Sequence, residues 1–80
     1  MGHARARPKH LAKKLLQIRK ALGLSQSELV QELGVDIHYS NISKYELDKN
    51  EPPLDVLLAY ARCANVLLAD IVDDEIELGL

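Results

Sequence analysis

The chain has 80 residues and a formal net charge of −2, with 48% apolar and 28% charged residues. That is enough for one small domain and too little for two. No apolar run approaches the roughly 18 residues of a membrane span, and no stretch reads as a signal peptide, so a cytoplasmic location without membrane attachment is expected. The lone cysteine, Cys63, excludes a disulfide or a cysteine zinc site within one chain.

The apolar periodicity is helical from end to end. Leu11, Leu15, Ile18 and Leu22 recur at helical spacing and predict a first helix, which Gly23 ends by taking positive φ. Ser25, with Glu28 three residues on, predicts the capping box of a second helix. Leu29, Val30 and Leu33 form its inner face, and Gly34 stops it. A third helix is predicted over about 38–47, with Ile42 and Tyr45 turned inward. The prolines of DKNEPP (48–53) make a loop, since proline cannot sit inside a helix. A fourth helix follows from about Leu54, with Leu57, Leu58, Ala61 and Ala64 inward. After Asn65 a short fifth helix carries Leu68, Ile71 and Val72. The fold class is therefore all-α, five short helices in a compact domain.

Charge is unevenly spread. Arg5, Arg7, Lys9, Lys13, Lys14, Arg19 and Lys20 place seven of the ten cations in the first twenty residues, with no carboxylate among them. Asp70, Asp73, Asp74, Glu75 and Glu77 crowd the other end. The division expected is a basic arm over 1–9, a helical domain over 10–72 and an acidic tail over 73–80. An asymmetry of this kind suggests an anionic partner for the N-terminal part; the plain alternative is two solvated ends.

At the second and third helices the residues become specific. The run IRKALGLSQSELVQELGV, then ISKYE, then a proline six residues after Glu46, resembles the Cro- and phage-repressor-like helix-turn-helix (XRE) family. The likeness continues through PLDVLLAYARCANVLLADIV and covers roughly residues 11–72. It implies a lambda-repressor-like five-helix fold, with helices two and three as the helix-turn-helix and double-stranded DNA as the partner. The physics of the third helix fits on its own account. At about 100° per residue, Ser40 and Lys44 lie nearly opposite Ile42, flanked by Asn41 and Ser43, with Leu47 on the same side. The resemblance implies that Tyr39, Ser40 and Lys44 read base edges, with Asn41 and Ser43 nearby. It also implies that Gln26 clamps a phosphate at the start of helix two and that Arg19 pairs with Glu46 to hold the scaffold. Ser25, Lys49 and Asn50 are candidate phosphate contacts, as are Arg5 and Arg7 of the arm.

Three departures from the family pattern stand out. The segment DIHYSN between Val35 and Ile42 is longer than usual, so either the turn is longer or helix three starts earlier with Asp36 as its cap. Asp48 stands at the family's glycine position. Pro53 occupies the cap position of helix four, leaving Asp55 to act through the helix dipole. His3, His10 and His38 are too scattered for a metal site, Cys63 reads as a small packing residue, and no phosphate loop or nucleophile motif appears. No enzyme activity, cofactor or metal is expected. The function expected is a sequence-specific transcriptional regulator, a repressor or autoregulator binding a palindromic operator as a homodimer. Leu67, Leu68, Ile76, Leu78 and Leu80 are its candidate dimer surface, or else cover helix four of the same monomer. The alternatives are an antitoxin-type module with a toxin or regulator as protein partner, or an adaptor that keeps the fold without DNA affinity.

Overall fold

Leu11, Lys14, Leu15 and Ile18 share the buried face of the first helix. In the computed structural model, which describes residues 7–80, that helix is α1 (Leu11–Leu22), followed by α2 (Gln26–Leu33), α3 (Tyr39–Glu46), α4 (Leu54–Ala64) and α5 (Leu68–Val72). There is no strand among the described residues. α1 packs on α3, α4 and α5, α2 on α3 and α4, and α4 on α5. Leu15, Ile18, Leu29, Ile42, Tyr60 and Ile71 meet in the centre with no solvent exposure. Each such aliphatic side chain contributes about 2 kcal/mol by leaving water.

The ends of the helices follow from local chemistry. Gly23 adopts φ 71°, and the Gly23 and Leu24 amides donate back to the Lys20 and Arg19 carbonyls, a paired closure that favours glycine. α3 closes in the same way through Asp48 at φ 60°, with the Asp48 and Lys49 amides on the Tyr45 and Lys44 carbonyls. Aspartate is tolerated there because its short polar side chain costs less in this conformation than most. α2 opens on the expected box. The Ser25 hydroxyl accepts from the Glu28 amide at 3.1 Å, and the Glu28 carboxylate accepts from the Ser25 amide at 2.8 Å. α4 starts at Pro53 without a side-chain cap and carries Asp55 in its first turn.

One open alternative is decided and one expectation needs correction. α3 does not take Asp36 as its cap: the turn is longer, and His38 holds the cap position. Ile37 packs against the core within this turn and helps to fix it. The inner face of α4 consists of Val56, Leu57, Tyr60 and Ala61. Leu58 is exposed and Ala64 only half-buried. α4 is apolar on most sides, so periodicity alone left its rotation open by one residue.

The two charged ends of the chain meet. Residues 73–80 run back along α1, and the Leu78 side chain is buried in the core. Lys14, only 5% exposed, donates from Nζ to the carbonyls of Asp70 (2.8 Å), Asp73 (2.8 Å) and Ile76 (2.7 Å). A cation is thus set among backbone carbonyls at and just beyond the C-terminal end of α5, where the helix dipole favours it. Asp74 accepts from the Lys9 and His10 amides at 2.8 and 3.0 Å, so the N-terminus of α1 is capped by a residue more than sixty positions away. Gln17 Nε2 donates to the Leu78 carbonyl at 3.2 Å. Of the five candidate dimer leucines and isoleucine, Leu78 is buried, Leu68 and Ile76 are half-buried, and Leu67 and Leu80 remain exposed.

Replacing Lys14 by methionine keeps the stem and removes the ammonium bonds to three carbonyls, of which that of Asp73 keeps a backbone donor, the Ile76 amide. Lys14→Met should lower unfolding stability by about 2 kcal/mol, read from urea titration; an unchanged midpoint would show that the ammonium does not hold the segment. The amides of His10 and Lys9 hold the Asp74 carboxyl below its ordinary 3.8. A lowered folded value means this stabilisation is complete above the ordinary value and is lost as pH falls through the lowered one. Asp74→Asn should therefore flatten the acid side of the stability profile below about pH 4, as followed by thermal melts.

Candidate nucleic-acid interface

α3 buries Ile42 and Tyr45 and turns its opposite face outward. Lys44 is exposed, Tyr39 is 47% exposed, and Ser40, Asn41 and Ser43 are half-buried. Leu47, just past the helix, is 61% exposed. The outward face thus combines one cation, three short hydrogen-bonding side chains and two larger side chains, with no carboxylate. Such a helix face can present donors and acceptors to base edges in a major groove.

One carboxylate fixes how this helix is held. Glu46, at the end of α3, accepts from Arg19 of α1 through Nε at 2.7 Å and Nη2 at 3.0 Å. The pair is largely screened from solvent, with side-chain exposures of 18% for Arg19 and 6% for Glu46. The fork geometry of guanidinium on carboxylate sets both distance and orientation. The bond to Glu46 raises the Arg19 pKa, so the guanidinium stays charged at any ordinary pH. Arg19 Nη1 also donates to the Leu24 carbonyl at 3.0 Å, tying down the turn between α1 and α2.

Gln26, the first residue of α2, donates from Nε2 to Glu46 at 3.2 Å. An amide nitrogen carries two hydrogens, so one remains beyond that bond. The Ser25 hydroxyl accepts in the capping box and keeps its own hydrogen. Lys49 and Asn50 are exposed just after α3, but their amides both turn inward to the Lys44 carbonyl, at 2.9 and 3.4 Å. Their side chains, not their backbone, face outward. Arg7 Nη1 donates to the Asp48 carbonyl at 2.7 Å and to its carboxylate at 3.0 Å, so its charge is offset within the molecule. Arg5 lies outside the described residues. Of the other N-terminal cations, Lys14 and Arg19 have internal partners, and Lys9, Lys13 and Lys20 are exposed.

Sequence reasoning missed His38. Its Nδ1 accepts from the Ser40 amide at 3.1 Å and lies 2.8 Å from the Ser40 hydroxyl. The ring also stacks on Tyr39, with centroids 4.4 Å apart and planes tilted by 34°. The signal available was position alone: a polar side chain immediately before the first helical residue. Asp48 as the partner of Arg7 was also missed, for want of any local pattern linking residues 41 positions apart.

Cys63 donates to the Glu32 carbonyl at 3.3 Å, and burial and then Glu32 push its thiol pKa up, as suits a packing residue between α4 and α2. The Tyr60 hydroxyl has no hydrogen-bond partner among the described residues. Burial and then the nearby Glu46 push its pKa well above the usual tyrosine range. Among the described residues no group of three or more His, Cys, Asp or Glu is arranged to hold a metal ion. No described helix is long and apolar enough to cross a membrane.

A helix-turn-helix family model matches residues 15–71, which spans α2, α3 and most of the remaining helical core. Among curated proteins, none matches the chain.

Removing the Glu46 carboxylate would leave Arg19 and Gln26 without their common acceptor. Glu46→Ala should lower stability by about 2–3 kcal/mol, less than for a fully buried pair because Arg19 keeps some solvent contact. Denaturant unfolding measures it; a loss below about 0.5 kcal/mol would show that apolar packing alone holds α3.

Proposed function

Because the chain belongs to the Cro/C1-type helix-turn-helix (XRE) family, a family of DNA-binding transcriptional regulators, we propose that it is a sequence-specific repressor or autoregulator that inserts α3 into the major groove of a palindromic operator as a homodimer. One observation carries this reading. The Glu46 carboxylate ties α3 to α1 and α2 at 2.7, 3.0 and 3.2 Å, while the opposite face of α3 is left unpacked. A groove-reading helix needs both properties, a rigid seat and a free face.

The roles follow from chemistry and position. Lys44 is the donor for guanine O6 and N7, and Tyr39, Ser40, Asn41 and Ser43 complete the base-reading face. Gln26, through its remaining amide hydrogen, and Ser25 meet a phosphate at the N-terminus of α2, where the helix dipole favours an anion. Lys49 and Asn50 hold the backbone beyond α3, and Arg7 and Arg5 extend the contact along the arm. One domain of this size covers few base pairs, so two-fold pairing on an inverted repeat supplies the specificity. Among the candidate dimer residues, Leu67 at 71% exposure and Leu80 at 50% are the exposed side chains offered to that pairing. The protein works in the cytoplasm and catalyses no reaction.

Selection from random duplex DNA at about physiological salt tests the reading, since non-specific binding is weak there. The expected product is an inverted repeat with half-sites about one helical turn apart. Failure to enrich any sequence would instead favour a module that acts through a protein partner. On the selected site, Lys44→Ala should cost about 1–3 kcal/mol and relax one position, whereas Gln26→Ala should weaken all sequences alike. A uniform loss for Lys44→Ala would make it a phosphate contact.

A further inference from the structure

We infer that His38 is a positioning residue that turns Ser40 into an acceptor-only reader of bases, so that each half-site carries cytosine or adenine where Ser40 meets it; this rests on the proposed entry of α3 into a major groove. The Ser40 amide donates to His38 Nδ1 at 3.1 Å. A backbone N–H can only donate, so Nδ1 is the unprotonated nitrogen and the ring carries its hydrogen on Nε2. The Ser40 hydroxyl lies 2.8 Å from the same Nδ1. With no hydrogen on Nδ1, the hydroxyl must be the donor in that contact, and the two donors share one lone pair.

A serine hydroxyl has one hydrogen and two lone pairs, and a free one serves donors and acceptors alike. Here its hydrogen is engaged behind it, and only acceptor capacity faces outward. The donors that bases offer in the major groove are cytosine N4 and adenine N6. Guanine and thymine present acceptors alone, apart from the thymine methyl. Ser40 lies on the side of α3 opposite the buried Ile42. The stack on Tyr39 holds the imidazole plane, and the longer turn before α3 brings His38 to the cap position. The histidine thereby selects a base class without touching a base itself.

Random-duplex selection with the full chain and three variants tests this. The unaltered protein should prefer cytosine or adenine over guanine and thymine by about tenfold at one position per half-site, the discrimination of about one good hydrogen bond. Ser40→Ala should erase the preference at that position only. His38→Ala should also erase it, by freeing the hydroxyl hydrogen, and leave the remaining positions intact. His38→Asn should restore it, because an asparagine oxygen can accept at the cap as Nδ1 does. Should His38→Ala fail to fold, the other two variants still decide. A preference for guanine or thymine at the Ser40-dependent position would overturn the inference, as would no Ser40-dependent position. A His38→Ala profile superimposed on that of the unaltered protein would do the same, with the groove reading left standing. If the unaltered protein enriches no sequence, both fall.

Discussion

Three N–H groups converge on the Glu46 carboxylate: two from Arg19 at 2.7 and 3.0 Å and one from Gln26 at 3.2 Å. Through them α1, α2 and α3 share a single charge, and the angle of α3 to the other helices is fixed by directional bonds as well as by the packing of Ile42 and Tyr45. Apolar contact alone tolerates small rotations of a short helix, since many packings of similar area compete. A bidentate guanidinium does not. The same carboxylate orients Gln26 at the start of α2, so one buried acceptor aligns both elements of the helix-turn-helix. The cost of withdrawing these groups from water is met by the completeness of their bonding.

The electrostatics differ from what the charge distribution along the chain suggests. The cationic first twenty residues look like a surface for an anionic partner, yet Arg7, Lys14 and Arg19 have partners of their own and the backbone of Lys9 and His10 is held by Asp74. The acidic segment is not a solvated tail but the strip that closes α1. What remains outward near α3 is sparse, chiefly Lys44 and Lys49. With a net charge of −2, such a molecule has little general attraction for a polyanion, and the proposed recognition leans on hydrogen bonds and shape at the face of α3.

Most of the architecture was legible because its signals are local. Gly23, Ser25 with Glu28, Gly34 and Asn65 mark helix ends through their own conformational preferences, and five helices follow. The family pattern then directed attention to Arg19, Gln26 and Glu46. What could not be read were bonds between distant positions: Lys14 with the carbonyls of Asp70, Asp73 and Ile76, Asp74 with the first turn of α1, and Arg7 with Asp48. No periodicity encodes them. The rotation of α4 escaped for another reason, since Val56, Leu57, Leu58 and Tyr60 are all apolar and only tertiary packing decides which three turn inward. His38 escaped because histidine is seldom the residue chosen to cap a helix.

The closure of α1 by residues from the opposite end also sets an order of events. During synthesis α1 emerges while the groups that cap it and accept from Lys14 are still some sixty residues from being made. Bonds across such a separation must wait for a large loop to close. Of these five helices, the first to leave the ribosome is therefore the last to be finished, and until then its apolar stripe and its basic side chains are open to whatever lies nearby.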